Sequence, residues 1–155
     1  MIKNITIFDL DGTCIDSSHR TPTKEDGTLD LANYKKMQTP ENIFKDTLLP
    51  LAQEINKRSK AGDYTIICTA RNMSEADYEF LMDEGLNADK IISRKDGDET
   101  PDDILKAKAL KSLFNLKQFK NLNKVMFDDA PSVRSTLRKI GIKVMHPDCY
   151  NKRIA

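Results

Sequence analysis

Two tight pairs of carboxylates stand far apart in the chain: Asp9 with Asp11, and Asp128 with Asp129. Between them lie Thr69, Arg71 and Lys106. Carboxylates gathered in one crevice repel each other unless a cation sits among them. An oxygen-only donor set suits Mg²⁺, a hard cation that readily shares its shell with a phosphate. A lysine ammonium and a threonine hydroxyl would supply charge and donors for phosphoryl oxygens. An aspartate can itself attack phosphorus and carry the phosphoryl group as an aspartyl-phosphate. Taken together, these residue types describe a Mg²⁺-dependent phosphoryl-transfer site acting on a phosphomonoester.

Each piece also has a simpler reading. Asp-x-Asp-Gly after a strand is ordinary turn chemistry. Asp128 and Asp129 would serve as helix caps. Lys106 follows Asp102 by four residues, the spacing of a helical surface ion pair. Thr69 would be a satisfied strand-end hydroxyl. What favours the catalytic reading is their joint occurrence, each at a strand end or helix start.

The elements that must position them alternate along the chain. Short runs rich in β-branched residues at 2–10, 64–68, 90–93, 124–127 and 142–145 read as buried strands. Helices are expected from Pro50 to a stop at Gly62, from a Ser74 cap to Gly85 with Tyr78, Leu81 and Met82 inward, and over 131–140. Another starts at Thr100-Pro101-Asp102-Asp103, with Thr100 as cap and Leu105, Ala109, Leu110 and Leu113 along its inner line. Residues 16–49 read as a polar loop insertion with at most one short structured piece. The pattern predicts an α/β fold, a Rossmann-like parallel sheet with helices on both faces. Ligands of such sheets bind outside the carboxyl ends of the strands, where all of these residues fall.

Composition is consistent with that picture. The 155 residues amount to about one domain, 1–155, long enough to bury a core without staples. Twenty-five Lys and Arg against 24 Asp and Glu exclude a strongly basic nucleic-acid coat. No apolar run approaches a membrane span, and the first residues do not read as a secretory signal. Three scattered cysteines, Cys14, Cys68 and Cys149, suggest reduced thiols and a cytoplasmic protein. No protein partner is indicated.

Phe8-Asp9-Leu10-Asp11-Gly12-Thr13 resembles the first motif of the haloacid dehalogenase-like (HAD) phosphohydrolases. Thr69, Lys106 and the Asp128-Asp129 pair resemble their second, third and fourth motifs. The resemblance implies Asp9 as nucleophile and metal ligand, and Asp11 as general acid and base with its backbone carbonyl on the metal. Thr69 and Lys106 would hold phosphoryl oxygens, Asp128 would bind metal directly, and Asp129 would bind it directly or through water. Residues 93–106, with Arg94, Gly97, Asp98, Asp102, Asp103 and Lys106, and the stretch from Asp128 are similar to the phosphatase domain of phage-type polynucleotide kinase–phosphatases. Those domains remove 3′-phosphates from nucleic-acid ends. Thr100 and Ala130 stand where that subgroup has arginines, and no GxxxxGK[ST] kinase motif is present.

Neither interval between motifs has room for a large lid, so a capless or minimally capped HAD fold is expected. An open site would admit a polymer end, with Arg71, Arg94 and Lys95 flanking the entry and meeting backbone phosphates; as ordinary solvated charges they would do neither. The leading expectation is therefore a polynucleotide 3′-phosphatase, followed by a small-molecule or nucleotide phosphatase. Further off stand a receiver-like signalling domain, whose acidic pair and phospho-acceptor come in the other order, and a non-catalytic phosphate-binding domain.

Overall fold

The computed structural model describes residues 2–154. Five parallel strands form its sheet in the order β5-β4-β1-β6-β7: β1 (Asn4–Phe8), β4 (Tyr64–Cys68), β5 (Lys90–Ile92), β6 (Asn123–Phe127) and β7 (Lys143–Met145). Successive side chains of a strand point to opposite faces, and both faces are apolar here. Ile5 and Ile7 of β1 and Ile66 and Cys68 of β4 meet Leu110 and Phe114 of α5 (Asp102–Phe114) and Val133 and Leu137 of α6 (Pro131–Arg138). Phe8 and Ile67 face the other way, onto Ile55 of α3 (Gln53–Lys60) and Phe80 and Leu81 of α4 (Glu75–Asp83). Helices on both faces are what an all-parallel sheet needs, and the expected Rossmann-like arrangement is present.

The insertion at 16–49 is more ordered than its polar sequence suggests. Strand β2 (Ile15–Asp16) pairs antiparallel with β3 (Thr47–Leu48), so the two ends of the insertion are zipped together. Between them lie a 3₁₀ turn at Ser18–Arg20, a bridge between Thr23 and Leu29, and two short helices, α1 (Leu31–Met37) and α2 (Pro40–Ile43). Helix α1 buries no side chain, so apolar periodicity could not announce it. A buried ion pair holds the segment instead: Arg20 donates to both carboxylate oxygens of Asp46, at 2.9 and 2.7 Å. The result is a minimal cap rather than an open loop.

Two local expectations need correction. Tyr78 and Met82 lie on the outer face of α4, 43% and 76% exposed, while Ala76, Asp77, Phe80 and Leu81 are buried. Asp77 sets this phase, because its carboxylate closes a capping box with Ser74 and also meets Arg71. At α5 the cap position is Pro101, not Thr100, whose hydroxyl donates to Asp98 instead. A last helix, α7 (Asp148–Ile154), was not expected; its Asn151 ties Thr13 O to the Leu51 amide. No helix among the described residues is long and apolar enough to cross a membrane.

Candidate active site

The sheet's hydrogen-bond ladder runs one residue past the strands, and this fixes the site. Asp9 N donates to Phe127 O at 3.0 Å, Thr69 N to Ile92 O at 2.9 Å, and Asp128 N to Met145 O at 3.1 Å. Three candidate residues from distant parts of the sequence are thereby locked at the carboxyl edge of the sheet. Lys106 enters from the first turns of α5 and is buried. Its ammonium donates to Asp9 Oδ1 at 2.9 Å and to Asp128 Oδ2 at 2.6 Å. Asp102 does not pair with it; that carboxylate meets Arg94 at 2.9 Å. The other Asp128 oxygen accepts from the Ala130 amide at 2.9 Å, so this residue also braces the entry to α6.

Oxygens of Asp9, Asp128 and Asp129 lie within 4.8 Å of one another. Burial pushes the Asp9 carboxyl well above its ordinary pKa, and the neighbouring carboxylates add to the effect against the opposing pull of Lys106. Asp128 is raised for the same leading reason. Lys106 is raised as well: burial works against its charge, but Asp9 and Asp128 more than offset it. The three carboxylates of this cluster face one cation, Lys106. The surplus is two negative charges on an all-oxygen set, the deficit one divalent hard cation would fill. Gly12 makes room for this grouping, since it holds a φ of +74° and a Cβ there would overlap the Asp129 carboxylate.

Asp11 is held apart from that cluster. Ser17 Oγ donates to it at 2.5 Å, Arg71 Nε at 3.2 Å, and Arg71 Nη2 donates as well. Burial alone would raise its pKa; the Arg71 charge and these hydrogen bonds outweigh that and leave it lowered. Arg71 is therefore not a free cation at the entry. It is 7% exposed, and its Nη1 donates to Asp77 at 2.5 Å. Behind it lie Asp46 and Arg20, the latter 3.7 Å from Asp77, so a row of buried charges runs from the cap to Asp11. Sequence reasoning missed Ser17, Arg20, Asp46 and Asp77; only the Ser74-to-Asp77 capping spacing carried a signal.

Thr69 accepts from the Arg71 amide at 3.0 Å and lines the cleft. Thr13 donates to Asp9 Oδ2 at 3.1 Å, orienting it. Arg94 is also committed, donating to the carbonyls of Ala70, Asp98 and Thr100 besides Asp102, which makes it the organiser of its own loop. Lys95 does line the cleft. The cleft holds about 1040 Å³ and is walled on one side by Leu29, Leu31, Tyr34 and Lys35 of the cap.

The family described as Bacteriophage T5 5′-deoxynucleotidase matches residues 1–155. The chain belongs to this family. It is 31% identical to the 5′-deoxynucleotidase of Escherichia phage T5 over 97% of this chain and 69% of that protein. Among solved structures, the Pnkp1/Rnl/Hen1 RNA repair complex matches 94% of this chain with a TM-score of 0.63 at 20% identity, over only 42% of the matched chain. The HAD-hydrolase YfnB from Bacillus subtilis, bound to magnesium, matches 93% of this chain and 88% of its own, with a TM-score of 0.61 at 14% identity. Family membership makes the chain a phosphoric monoester hydrolase, and its fold is that of the HAD-like hydrolases, as the motifs led one to expect.

Proposed function

We propose that this protein is a Mg²⁺-dependent phosphatase of deoxynucleoside 5′-monophosphates, working through an aspartyl-phosphate on Asp9. The first link is kinship with the phage T5 enzyme. The observation that carries the choice of a mononucleotide over a polymer end is the outer rim of the cleft. Asp96, Asp98, Glu99 and Asp102 line it against Lys35, Arg94 and Lys95, and Arg94 is spent on its own loop. Tracking a nucleic-acid backbone calls for a row of unpaired cations. With the Arg94–Asp102 pair set aside, this rim offers two lysines against three acids, a balance that would repel the second phosphate of a strand.

In the reaction, Mg²⁺ held by Asp9, Asp128, Asp129 and the Asp11 carbonyl would lower the electrostatic cost of bringing an anionic nucleophile to an anionic phosphate. Thr13 and Lys106 orient the Asp9 carboxylate. An Asp9 oxygen attacks phosphorus, and the ester P–O bond breaks in line with it. For the departing 5′-alkoxide to take a proton from Asp11, that carboxylate, which Arg71 and Ser17 hold in its ionised form, has first to leave the Arg71 pair and bind a proton as substrate enters. Water then attacks phosphorus of the aspartyl-phosphate, giving its proton to the Asp11 carboxylate; the bond to Asp9 breaks, its carboxylate is regenerated and inorganic phosphate is released. Lys106 and the Thr69 hydroxyl bear on the phosphoryl oxygens throughout.

The test is phosphate release with Mg²⁺ from deoxynucleoside 5′-monophosphates, nucleoside 3′-monophosphates, 5′- and 3′-phosphorylated oligonucleotides and an aryl phosphate. The expected order puts the 5′-mononucleotide first in kcat/KM. A 3′-phosphorylated oligonucleotide ahead of every mononucleotide would replace this reading with the 3′-end phosphatase drawn from residues 93–106.

A further inference from the structure

Above the carboxylates the cleft is far larger than a phosphate requires, and its two sides differ in chemistry. The acidic loop 96–102 forms one side. The other, formed by the cap, carries Leu29 and Leu31, 43% and 55% exposed, and Tyr34, together with the polar Lys35 and Gln38. Single exposed leucines are unremarkable on a surface. Two of them sharing a catalytic cleft with an aromatic ring form a wall, and apolar walls with a few placed polar groups are how small-molecule sites hold ligands.

That wall is built rigidly. Leu29 ends a tight hairpin, bridged to Thr23 and turned at Gly27, whose φ is +86°. Asp30 caps α1, accepting from the Asn33 amide at 3.2 Å and from Asn33 Nδ2 at 2.8 Å. Gln38, at the other end of α1, donates to Tyr34 O at 2.8 Å and to Arg20 O at 2.9 Å. Arg20 is locked by Asp46, so the helix that carries Tyr34 is pinned to the same charge row that holds Asp11. The Tyr34 hydroxyl has no hydrogen-bond partner among the described residues. It nonetheless stands close enough to Asp11 that, after burial, this carboxylate is the next cause raising its pKa.

We infer that Leu29, Leu31 and Tyr34 form the nucleoside subsite of this phosphatase, the base and deoxyribose packing on the apolar wall while the phosphate sits over Asp9. The inference rests on the proposed nucleotide activity and adds the residues that recognise the nucleoside. A flat base attached to a sugar suits this wall, and the facing loop, with Asp96, Asp98 and Glu99 around Lys95, disfavours a second phosphate on the far side.

The experiment follows hydrolysis of an aryl phosphate and measures inhibition by deoxythymidine, which has no phosphate, and by inorganic phosphate. Deoxythymidine should inhibit the wild type competitively. In Leu31→Ser and in Tyr34→Ala its inhibition constant should rise at least tenfold, while that for phosphate stays within twofold. Tyr34→Phe, which keeps the ring, should retain most of the nucleoside inhibition, and the exposed Leu31 site guards against a folding artefact. If deoxythymidine fails to inhibit the wild type, or inhibits all variants equally, the subsite is overturned. Failure of the nucleotide activity itself would appear separately, as no release from any deoxynucleotide in the substrate panel.

Discussion

Lys106 reaches Asp9 across 97 residues of sequence and donates to its Oδ1 at 2.9 Å. The lysine that spacing alone would pair with Asp102 on a helix surface is instead buried between two carboxylates of the site. Removing it should leave Asp9 and Asp128 facing each other and the substrate phosphate without their fixed cation. Lys106→Ala is expected to lower kcat by about 10²-fold or more, the scale of a lost electrostatic stabiliser. Lys108→Ala, an exposed neighbour, should change kcat little. The reverse result would assign the role to the wrong lysine.

Asp11 has a different task, and leaving-group dependence isolates it. An alkoxide needs a proton as it departs; an activated phenolate needs little help. Asp11→Asn should slow a deoxynucleotide far more than an aryl phosphate. Equal losses on both would mean that the residue serves only as a binding group.

Asp9 links metal to stability. A carboxyl whose folded pKa is raised holds its proton longer in the native state than in the unfolded chain. Native stability is then highest below about pH 4 and declines as pH rises through the folded value. In EDTA, Asp9→Asn should melt above wild type, by a margin that widens as pH rises above about 4. It should also be inactive. Mg²⁺ should raise the wild-type Tm and narrow that margin. A margin independent of both pH and Mg²⁺ would mean that the Asp9 charge is not what strains the empty cluster.

Most of this site was legible from sequence because its residues sit at strand ends, and the strands announce themselves. Residues 64–68 have no other plausible state, and Thr69 follows directly. The fold class came from the same alternation of strand and helix. The cap was not legible, since α1 buries nothing and is held by hydrogen bonds through Gln38 rather than by an apolar stripe. Nor was the charge row behind Asp11. Arg20, Asp46, Arg71 and Asp77 look like solvated charges one at a time, as surface Arg and Asp usually are; only the fold brings them together. The inward face of α4 was misassigned because a polar residue, Asp77, sets its phase.

That charge row predicts an unusually costly surface-like mutation. The Asp46 side chain is fully buried and Arg20 is 1% exposed. Breaking a buried pair leaves its partner uncompensated, at about 3–5 kcal/mol. Asp46→Ala should lower unfolding free energy by that order in urea titrations. Nucleotide kcat/KM should also fall, because α1 hangs from Arg20. A change below about 1 kcal/mol would place the pair in the range of exposed salt bridges.

Gly12 should be the least replaceable glycine of the chain. Its φ of +74° already disfavours any side chain, at roughly 1–2 kcal/mol for the left-handed region. Other glycines share that geometry, but Gly27, Gly62, Gly85, Gly97 and Gly141 have open space where a Cβ would go. At Gly12 the added carbon meets the Asp129 carboxylate, which must swing away from Asp9 and Asp128. Gly12→Ala should therefore raise the Mg²⁺ concentration giving half-maximal activity by about tenfold or more. Gly62→Ala should show only the conformational cost, as a lower Tm with unchanged metal dependence. Equal metal dependence in the two variants would separate Asp129 from the metal site and leave Gly12 as a turn residue alone.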